Sequence, residues 1–327
     1  MSLKTITIIG SLNTDLVTTT PRVPTGGETL TATSFSTGSG GKGANQAVAC
    51  ARLSRPNPGR SRESPDVPEP NITVKMIGAV GDDEFGPKLI EGLKDDGVKT
   101  DGVRLVGGEK TGVAVIIVEQ DSGENRIMLN PGANHTLKPE HFMTKESLGI
   151  PLPDLIILQL EIPLPTVLQI LKTAKEARVE VLLNPAPAIS LPDEVYGSIT
   201  HLIVNESEAA ILTAMDVHNI EAEGWRNVAD KFFAKGVKNV VITLGAKGAF
   251  FATQGQQGQY TKAEKVEKVV DTTAAGDTFV GAYAVNVVRK GGKKVSEEDV
   301  RLACKAAGRT VEKKGAQSAI PWADEVQ

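Results

Sequence analysis

The rhythm of residues 154–243 constrains the fold most. Short apolar runs ending at Leu158, Leu183, Val204 and Thr243 alternate with helical patterns near 165–177, 206–213 and 224–235. Strands alternating with helices imply a mostly parallel sheet covered on both faces by its crossovers. Strand patterns at Lys4 to Gly10, 72–77 and 103–106, and helical patterns after Gly43 and across 84–96, extend the same architecture toward the amino terminus. Two apolar-rich helices, 276–290 and 297–312, close the chain. The expectation is an α/β fold in one domain over 1–327, a doubly wound, mainly parallel sheet flanked by helices.

Two segments break that rhythm. Residues 16–20 and 29–36 are alternating, threonine-rich and β-prone, and 111–131 reads as two strands meeting at the turn Asp121-Ser122-Gly123-Glu124. Together they predict a small separate sheet from about 13–37 and 109–131, either a lid over the active edge or a pair of surface hairpins. Residues 54–70, rich in Ser, Pro, Arg, Asp and Glu, cannot bury a core and predict a disordered insertion.

The net charge of −4 supplies no field for a polyanion, so neither nucleic acid nor an anionic membrane is an expected partner. No apolar run reaches the roughly 20 residues that span a bilayer, and the first residues lack a signal-peptide pattern. The chain is expected in the cytoplasm, with a nuclear pool if its source is eukaryotic. Cys50 and Cys304 lie in alanine-rich helical surroundings and read as buried free thiols. The four histidines, His135, His141, His201 and His218, show neither metal-ligand spacing nor a triad partner.

The segment richest in chemistry is Asp271-Thr272-Thr273-Ala274-Ala275-Gly276-Asp277-Thr278, read as following a strand at Val266 to Val270 and opening a helix. Small residues let the backbone approach a ligand, and a helix N-terminus offers unpaired N–H groups with partial positive charge. One such donor aimed at developing charge is worth roughly 3–4 kcal/mol. Asp277 lies in the first turn. A carboxylate there is poorly placed to bind phosphate but well placed to take a proton from an attacking hydroxyl. It could equally serve only the helix terminus, where Asp is favoured.

This segment resembles the D-T-x-A-A-G-D signature of the PfkB family of carbohydrate and nucleoside kinases. A second signature of that family matches Gly38-Ser39-Gly40-Gly41-Lys42-Gly43-Ala44-Asn45-Gln46-Ala47. The likeness runs nearly end to end, apart from 54–70. The G-G-K-G-A-N-Q-A form is that of the members acting on ribose rather than on adenosine or fructose phosphate. The resemblance therefore implies ATP-dependent phosphorylation of D-ribose at its 5-hydroxyl, with Asp277 as base and the Ala274, Ala275 and Gly276 amides as anion hole. It further implies a homodimer formed through the β lid.

Residue by residue, the resemblance makes Asn13 and Asp15 a pair gripping sugar hydroxyls; alone they also suit an Asx turn. Gly41, Lys42, Gly43, Ala44 and Asn45 match the second sugar-binding group, and Glu161 another sugar contact, although on its own it reads as a solvated strand-end charge. Asn205 and Glu208, in Asn205-Glu206-Ser207-Glu208, match a motif in which the first residue approaches the ATP phosphates and the second holds Mg²⁺ through water. They equally spell a helix capping box. Thr243, Leu244, Gly245, Ala246, Lys247 and Gly248 match a nucleotide-binding turn, and also a simple turn between strands. Cys304 falls where the family packs a side chain on adenine. Asp271, Thr273, Thr310, Lys313, Gly315 and Ala319 match the ligands of an activating K⁺, mostly through backbone carbonyls. At Ala319 relatives can offer a serine hydroxyl, and here Ser318 is one residue away.

Gly38 to Gly43 also satisfies G-x-G-x-x-G, but a dinucleotide site needs that run directly after the first core strand, which ends here at Gly10. It is not a P-loop, since no Ser or Thr follows Lys42. The alternatives are another kinase of the same family, acting on fructose, deoxyribose or a nucleoside, and an inactive sugar-binding regulator.

Overall fold

The computed structural model describes residues 3–59, 71–121, 124–216, 224–291 and 293–326. Along the chain, β1 (Lys4–Ile9) leads into β2 (Asn13–Thr20) and β3 (Ser34–Gly40), then α1 (Lys42–Leu53), β4 (Ile72–Gly81), α2 (Gly86–Asp95), β5 (Lys99–Val106), β6 (Gly112–Glu119) and β7 (Asn125–Asn130). The second half runs β8 (Leu155–Leu158), α3 (Leu164–Ala177), β9 (Glu180–Leu183), β10 (His201–Asn205), α4 (Glu206–Thr213) and α5 (Trp225–Ala234). It ends with β11 (Asn239–Thr243), β12 (Ala249–Thr253), β13 (Gln259–Thr261), α6 (Ala275–Lys290) and α7 (Glu297–Val311).

The uninterrupted apolar runs become central strands. In β8 every residue of Leu-Ile-Ile-Leu is buried, as expected where helices cover both faces of parallel strands. The main sheet has nine strands in the order β13-β12-β11-β10-β9-β8-β1-β4-β5, parallel from β11 to β5 and antiparallel at β12 and β13. Residues of α1, α6 and α7 pack into the core on one face, and those of α3, α4 and α5 into the core on the other. α6 is buried almost all round, as its nearly continuous apolar sequence requires.

β1 lies between β4 and β8, with Ile9 opposite Leu158. The chain builds outward from β1 through β4 and β5, then returns to β8 and builds the other way. The strand order reverses there, and ligands of open α/β sheets bind in the crevice outside the strand ends at such a point. The segments leaving β1 and β8 carry Asn13 and Glu161 into that crevice.

The second sheet, in the order β3-β2-β6-β7, springs from the same place. Its second strand is not 29–36 but Ser34–Gly40, antiparallel to β2 with Asn13 opposite Gly40. Threonine-rich 29–33 has good β propensity, but only Thr33 at its end bonds to β2, through the Thr19 carbonyl, and propensity without a paired ladder is not enough. The strand expected at Val266 to Val270 is likewise absent. That stretch is irregular, with the Val270 and Asp271 amides donating to the Val311 carbonyl at the end of α7. Ser122 and Gly123 of the expected turn lie outside the described residues, but β6 and β7 on either side pair antiparallel.

Residues 60–70 of the expected insertion also lie outside the described residues. Of its first part, Ser54 is buried and the Arg55 guanidinium stacks 5.5 Å from the Trp322 ring centre. Cys50 and Cys304 are free and buried. Among the described residues no helix is long and apolar enough to cross a membrane.

Candidate active site

Two helix N-termini meet at the centre of the site. α1 starts immediately after Gly41, whose backbone takes φ +87°, a conformation open to glycine at little strain. α6 starts after Ala274, itself in the left-handed region at φ 60°. The two helices touch about two turns inside these ends: a Cβ on Gly281 would stand 2.4 Å from the Ala49 Cβ. That close approach brings residues four earlier on each helix, Asn45 and Asp277, into register.

Asp277 is buried, at 7 % exposure. It does not cap α6. Its Oδ2 accepts from Asn45 Nδ2 at 3.0 Å and its Oδ1 from Gln46 Nε2 at 2.9 Å. Around it the Gly276 and Asp277 amides donate to no described residue. The Ala275 amide reaches back to the Thr272 carbonyl at 3.3 Å and the Thr278 amide to Ala274. Of the three amides expected to form an anion hole, that of Ala275 is spent in this way, whereas those of Ala274 and Gly276 have no acceptor among the described residues. The Asp277 amide is a further free donor, and the left-handed turn at Ala274 folds only the Ala275 N–H inward.

At the end of β8, Glu161 Oε2 accepts from Ser11 Oγ at 2.6 Å, the Lys42 amide at 3.0 Å and Asn13 Nδ2 at 3.5 Å. It is thus a fixed strand-end acceptor rather than a solvated charge. Asn13 is buried and oriented by Asn134, whose Nδ2 donates to Asn13 Oδ1 at 2.8 Å and whose Oδ1 accepts the Leu12 amide. Gly43 and Ala44 lie deeper: their amides go to Ser11 Oγ and the Ser11 carbonyl, so they hold the turn that presents Lys42 and Asn45.

Electrostatics knit these residues together. Burial, aided by the nearby Glu161 and Asp277, pushes the Asp15 carboxyl up to about 7. Burial pulls the Lys42 ammonium down, but Asp277, Glu161 and Glu208 outweigh it and the net shift is upward. Lys42 therefore stays charged among these three carboxylates. Burial likewise raises Glu208, opposed by the Asn205 amide and Lys42.

A cavity of about 570 Å³ adjoins this centre, lined by Thr243, Gly245, Ala246, Gly248, Gly276 and Cys304 among others. Leu244 turns into the core instead, and Lys247 is not part of the lining. The Cys304 thiol, raised to about 11 chiefly by burial, is neutral there. A second space of about 1130 Å³ lies between the smaller sheet and the body, between Asp15, Gly38 and Ser39 on one side and Asp271, Thr273 and Gly315 on the other. The two share Val269 and Thr272 at a common rim. Asn205 and Glu208 do form a reciprocal capping box on α4, with bonds of 2.8 and 2.9 Å.

Asp271 ties two loops. Its Oδ1 accepts from the Thr273 amide and hydroxyl at 2.9 and 2.7 Å, and its Oδ2 from the Gly315 amide at 2.9 Å. Burial would raise this carboxyl, yet those bonds and Lys314 hold it below its ordinary value. Thr310 is buried with its hydroxyl on Thr278 and Ala306, and Lys313 points its ammonium at Glu325. Their side chains are thus spent elsewhere, leaving backbone carbonyls. Ala319 is fully buried, and the Ser318 hydroxyl bonds the Lys314 carbonyl instead of replacing a serine at 319.

The pfkB family carbohydrate kinase model matches residues 3–323. The chain belongs to the pfkB family of carbohydrate kinases. Among similar members of that family, the ribokinase of Schizosaccharomyces pombe is 44 % identical over 97 % of this chain and 94 % of its own length. The ribokinase of Haemophilus influenzae is 38 % identical over 98 % of this chain and 97 % of its own. A deoxyribokinase of Salmonella typhi is also 38 % identical, over 97 % of this chain and 95 % of its own. The solved structure of Arabidopsis thaliana ribokinase complexed with ribose and ATP superposes with a TM-score of 0.85 at 34 % identity, covering 100 % of this chain and 98 % of that one.

Family motifs pointed to Asn45, Asp277 and Glu161 but not to the residues that hold them. Ser11, Asn134 and Gln159 carry no local signal, because each acts across more than 100 positions of sequence. Gln46 sits inside a matched motif, but nothing local tells that its side chain turns to Asp277.

Proposed function

We propose that this pfkB-family kinase transfers the γ-phosphoryl group of ATP to the 5-hydroxyl of D-ribose. One observation carries the reading: a buried carboxylate, Asp277, stands at a helix N-terminus with free amides beside it, between a polar crevice and a more apolar cleft. Ribose would lie against Asn13, Asp15, Lys42, Asn45 and Glu161. ATP would lie along Thr243 to Gly248 with adenine toward Cys304. Asp277 takes the proton as O5 bonds to the γ-phosphorus and ADP departs. The Gly276 and Asp277 amides and the Lys42 ammonium face the charge on the transferring group, which a loose transition state spreads over its oxygens. The lid over the crevice excludes the water that would otherwise compete as acceptor.

Mg²⁺ would reach the phosphates from Glu208. Mg²⁺ keeps several of its waters and is commonly bound through one or two carboxylates plus substrate phosphates, so a single carboxylate suffices. A K⁺ ion would sit by the Asp271–Thr273 and Thr310–Ala319 loops, where the donors are oxygens of the hard type such cations take. Its chemistry there is electrostatic support of the adjacent α6 N-terminus. The exposed lid edges suit a homodimer.

The likeness to a deoxyribokinase makes deoxyribose the second candidate substrate. A coupled ADP-release assay with ribose, deoxyribose, fructose and nucleosides, with and without K⁺, tests the proposal. The expected result is highest kcat/KM with ribose, a 5-phosphate product and stimulation by K⁺. A better deoxyribose, fructose or nucleoside rate, or no sugar-dependent ADP release, defeats it.

A further inference from the structure

Behind the carboxylate lies a chain of amides that touches neither cleft. Gln46 is fully buried. Its Nε2 donates twice, to Asp277 Oδ1 at 2.9 Å and to Asn184 Oδ1 at 3.1 Å, and its Oε1 accepts from Gln159 Nε2 at 2.6 Å. Asn184 is itself held, its Nδ2 donating to the Ile203 carbonyl at 3.0 Å. The Gln46 amide can therefore face only one way. Reversed, it would set its oxygen against Asn184 Oδ1 and Asp277 Oδ1 and its NH₂ against the Gln159 NH₂. The network spans the ends of β8, β9 and β10 and helices α1 and α6, so it links the carboxylate to the rigid sheet rather than to a loop.

We propose that Gln46 is a positioning residue for Asp277, holding one carboxylate oxygen by a hydrogen bond and leaving the other to the sugar side with Asn45. The inference rests on the reading of Asp277 as the base. Asn45 and Gln46 divide the work: Asn45 borders the crevice, whereas Gln46 has no route to substrate and acts through Asp277 alone. Oriented in this way, the base is ready before substrate enters, and a misplacement of about 1 Å typically lowers turnover on the order of 10²-fold. The charged groups facing Asp277 are Lys42 of α1, Asp15 of β2 and Glu208 of α4; all stay in place when Gln46 alone is changed.

Gln46→Met keeps the length of the side chain and removes its dipole. The expected result is a fall in kcat of roughly 10-fold or more with the KM for ribose within about 3-fold of wild type. Asn45→Ala should instead raise the ribose KM. Gln46→Glu is isosteric and puts a second carboxyl against Asp277. It should move the acid limb of kcat, measured at saturating ribose and ATP, upward by about one pH unit or more, because two carboxylates in contact share a proton. This variant also decides the matter if Gln46→Met does not fold. A folded Gln46→Met enzyme with wild-type kcat, or an acid limb unmoved in Gln46→Glu, overturns the inference. Asp277→Asn measured alongside separates the two readings. An active Asp277→Asn enzyme defeats the base itself, whereas an inactive one beside a fully active Gln46→Met defeats only the positioning role.

Discussion

At the scale of single residues, the site sets two carboxylates to opposite tasks through their surroundings. Asp277 receives two amide N–H groups, and Asp15 receives burial and two like charges. Asp277→Asn keeps the shape and the bond to Gln46 after an amide flip but cannot accept a proton. Its turnover should fall about 10²-fold or more at unchanged thermal stability. Steady-state kinetics of the purified variant check this, and near wild-type kcat removes the base role. Asp15 makes a prediction of the other kind. Its folded pKa of about 7 exceeds the ordinary 3.8, so the native state binds the extra proton between those values. Native stability contributed by this group is therefore greatest at low pH, declines as pH rises from about 4 toward 7, and is level above. Asp15→Asn lacks that decline. In urea unfolding of the ligand-free protein, the variant should gain on wild type between pH 5 and pH 7.5, and an unchanging difference would mean that Asp15 titrates normally.

Between elements, the decisive contact is that of α1 with α6. Asn45 and Gln46 meet Asp277 only because Gly281 lets the two helices approach at Ala49, where a Cβ would also stand 2.9 Å from the Ala49 carbonyl carbon and the Cys50 nitrogen. Backbone cannot move aside as a side chain can. Gly281→Val should lower stability by roughly 1–3 kcal/mol through overpacking and, by parting the helix ends, reduce kcat as well. Denaturant titration and kinetics read the two effects. A variant that loses stability at full kcat would uncouple the helix contact from the site. Both helices were legible in the sequence, as were the central strands. The displaced lid strand at Ser34–Gly40 and the missing strand at 266–270 were not. Each depends on whether a neighbouring strand exists to accept hydrogen bonds, and local residues do not carry that information.

For the whole molecule, the lid sheet is the unfinished part. Three successive residues of its edge strand β7, Ile127, Met128 and Leu129, are exposed at 59, 56 and 42 %, so both faces of that strand lie open. Phe35 on the opposite edge strand β3 is 63 % exposed. Open apolar edges invite pairing with another chain. A second copy laid against this sheet would cover them. Ile127→Lys should then turn a dimer into a monomer in sedimentation velocity, while the main sheet, remote from β7, keeps its thermal stability. A wild-type protein that sediments as a monomer at micromolar concentration would remove the homodimer from the proposal.

The amino-acid sequence by itself determined the α/β class, the crossover rhythm, and the two motif-bearing helix starts, because apolar periodicity and runs of small residues are local properties that survive without neighbours. It also named Asp277, Asn45 and Glu161. Only the tertiary structure decided how those residues are held: that the Ala275 amide turns inward while its neighbours stay free, that Ser11 and Asn134 fix Glu161 and Asn13, and that Gln46 faces Asp277. Hydrogen bonds between side chains more than 100 residues apart follow from strand order and helix approach, and no short stretch of sequence encodes either.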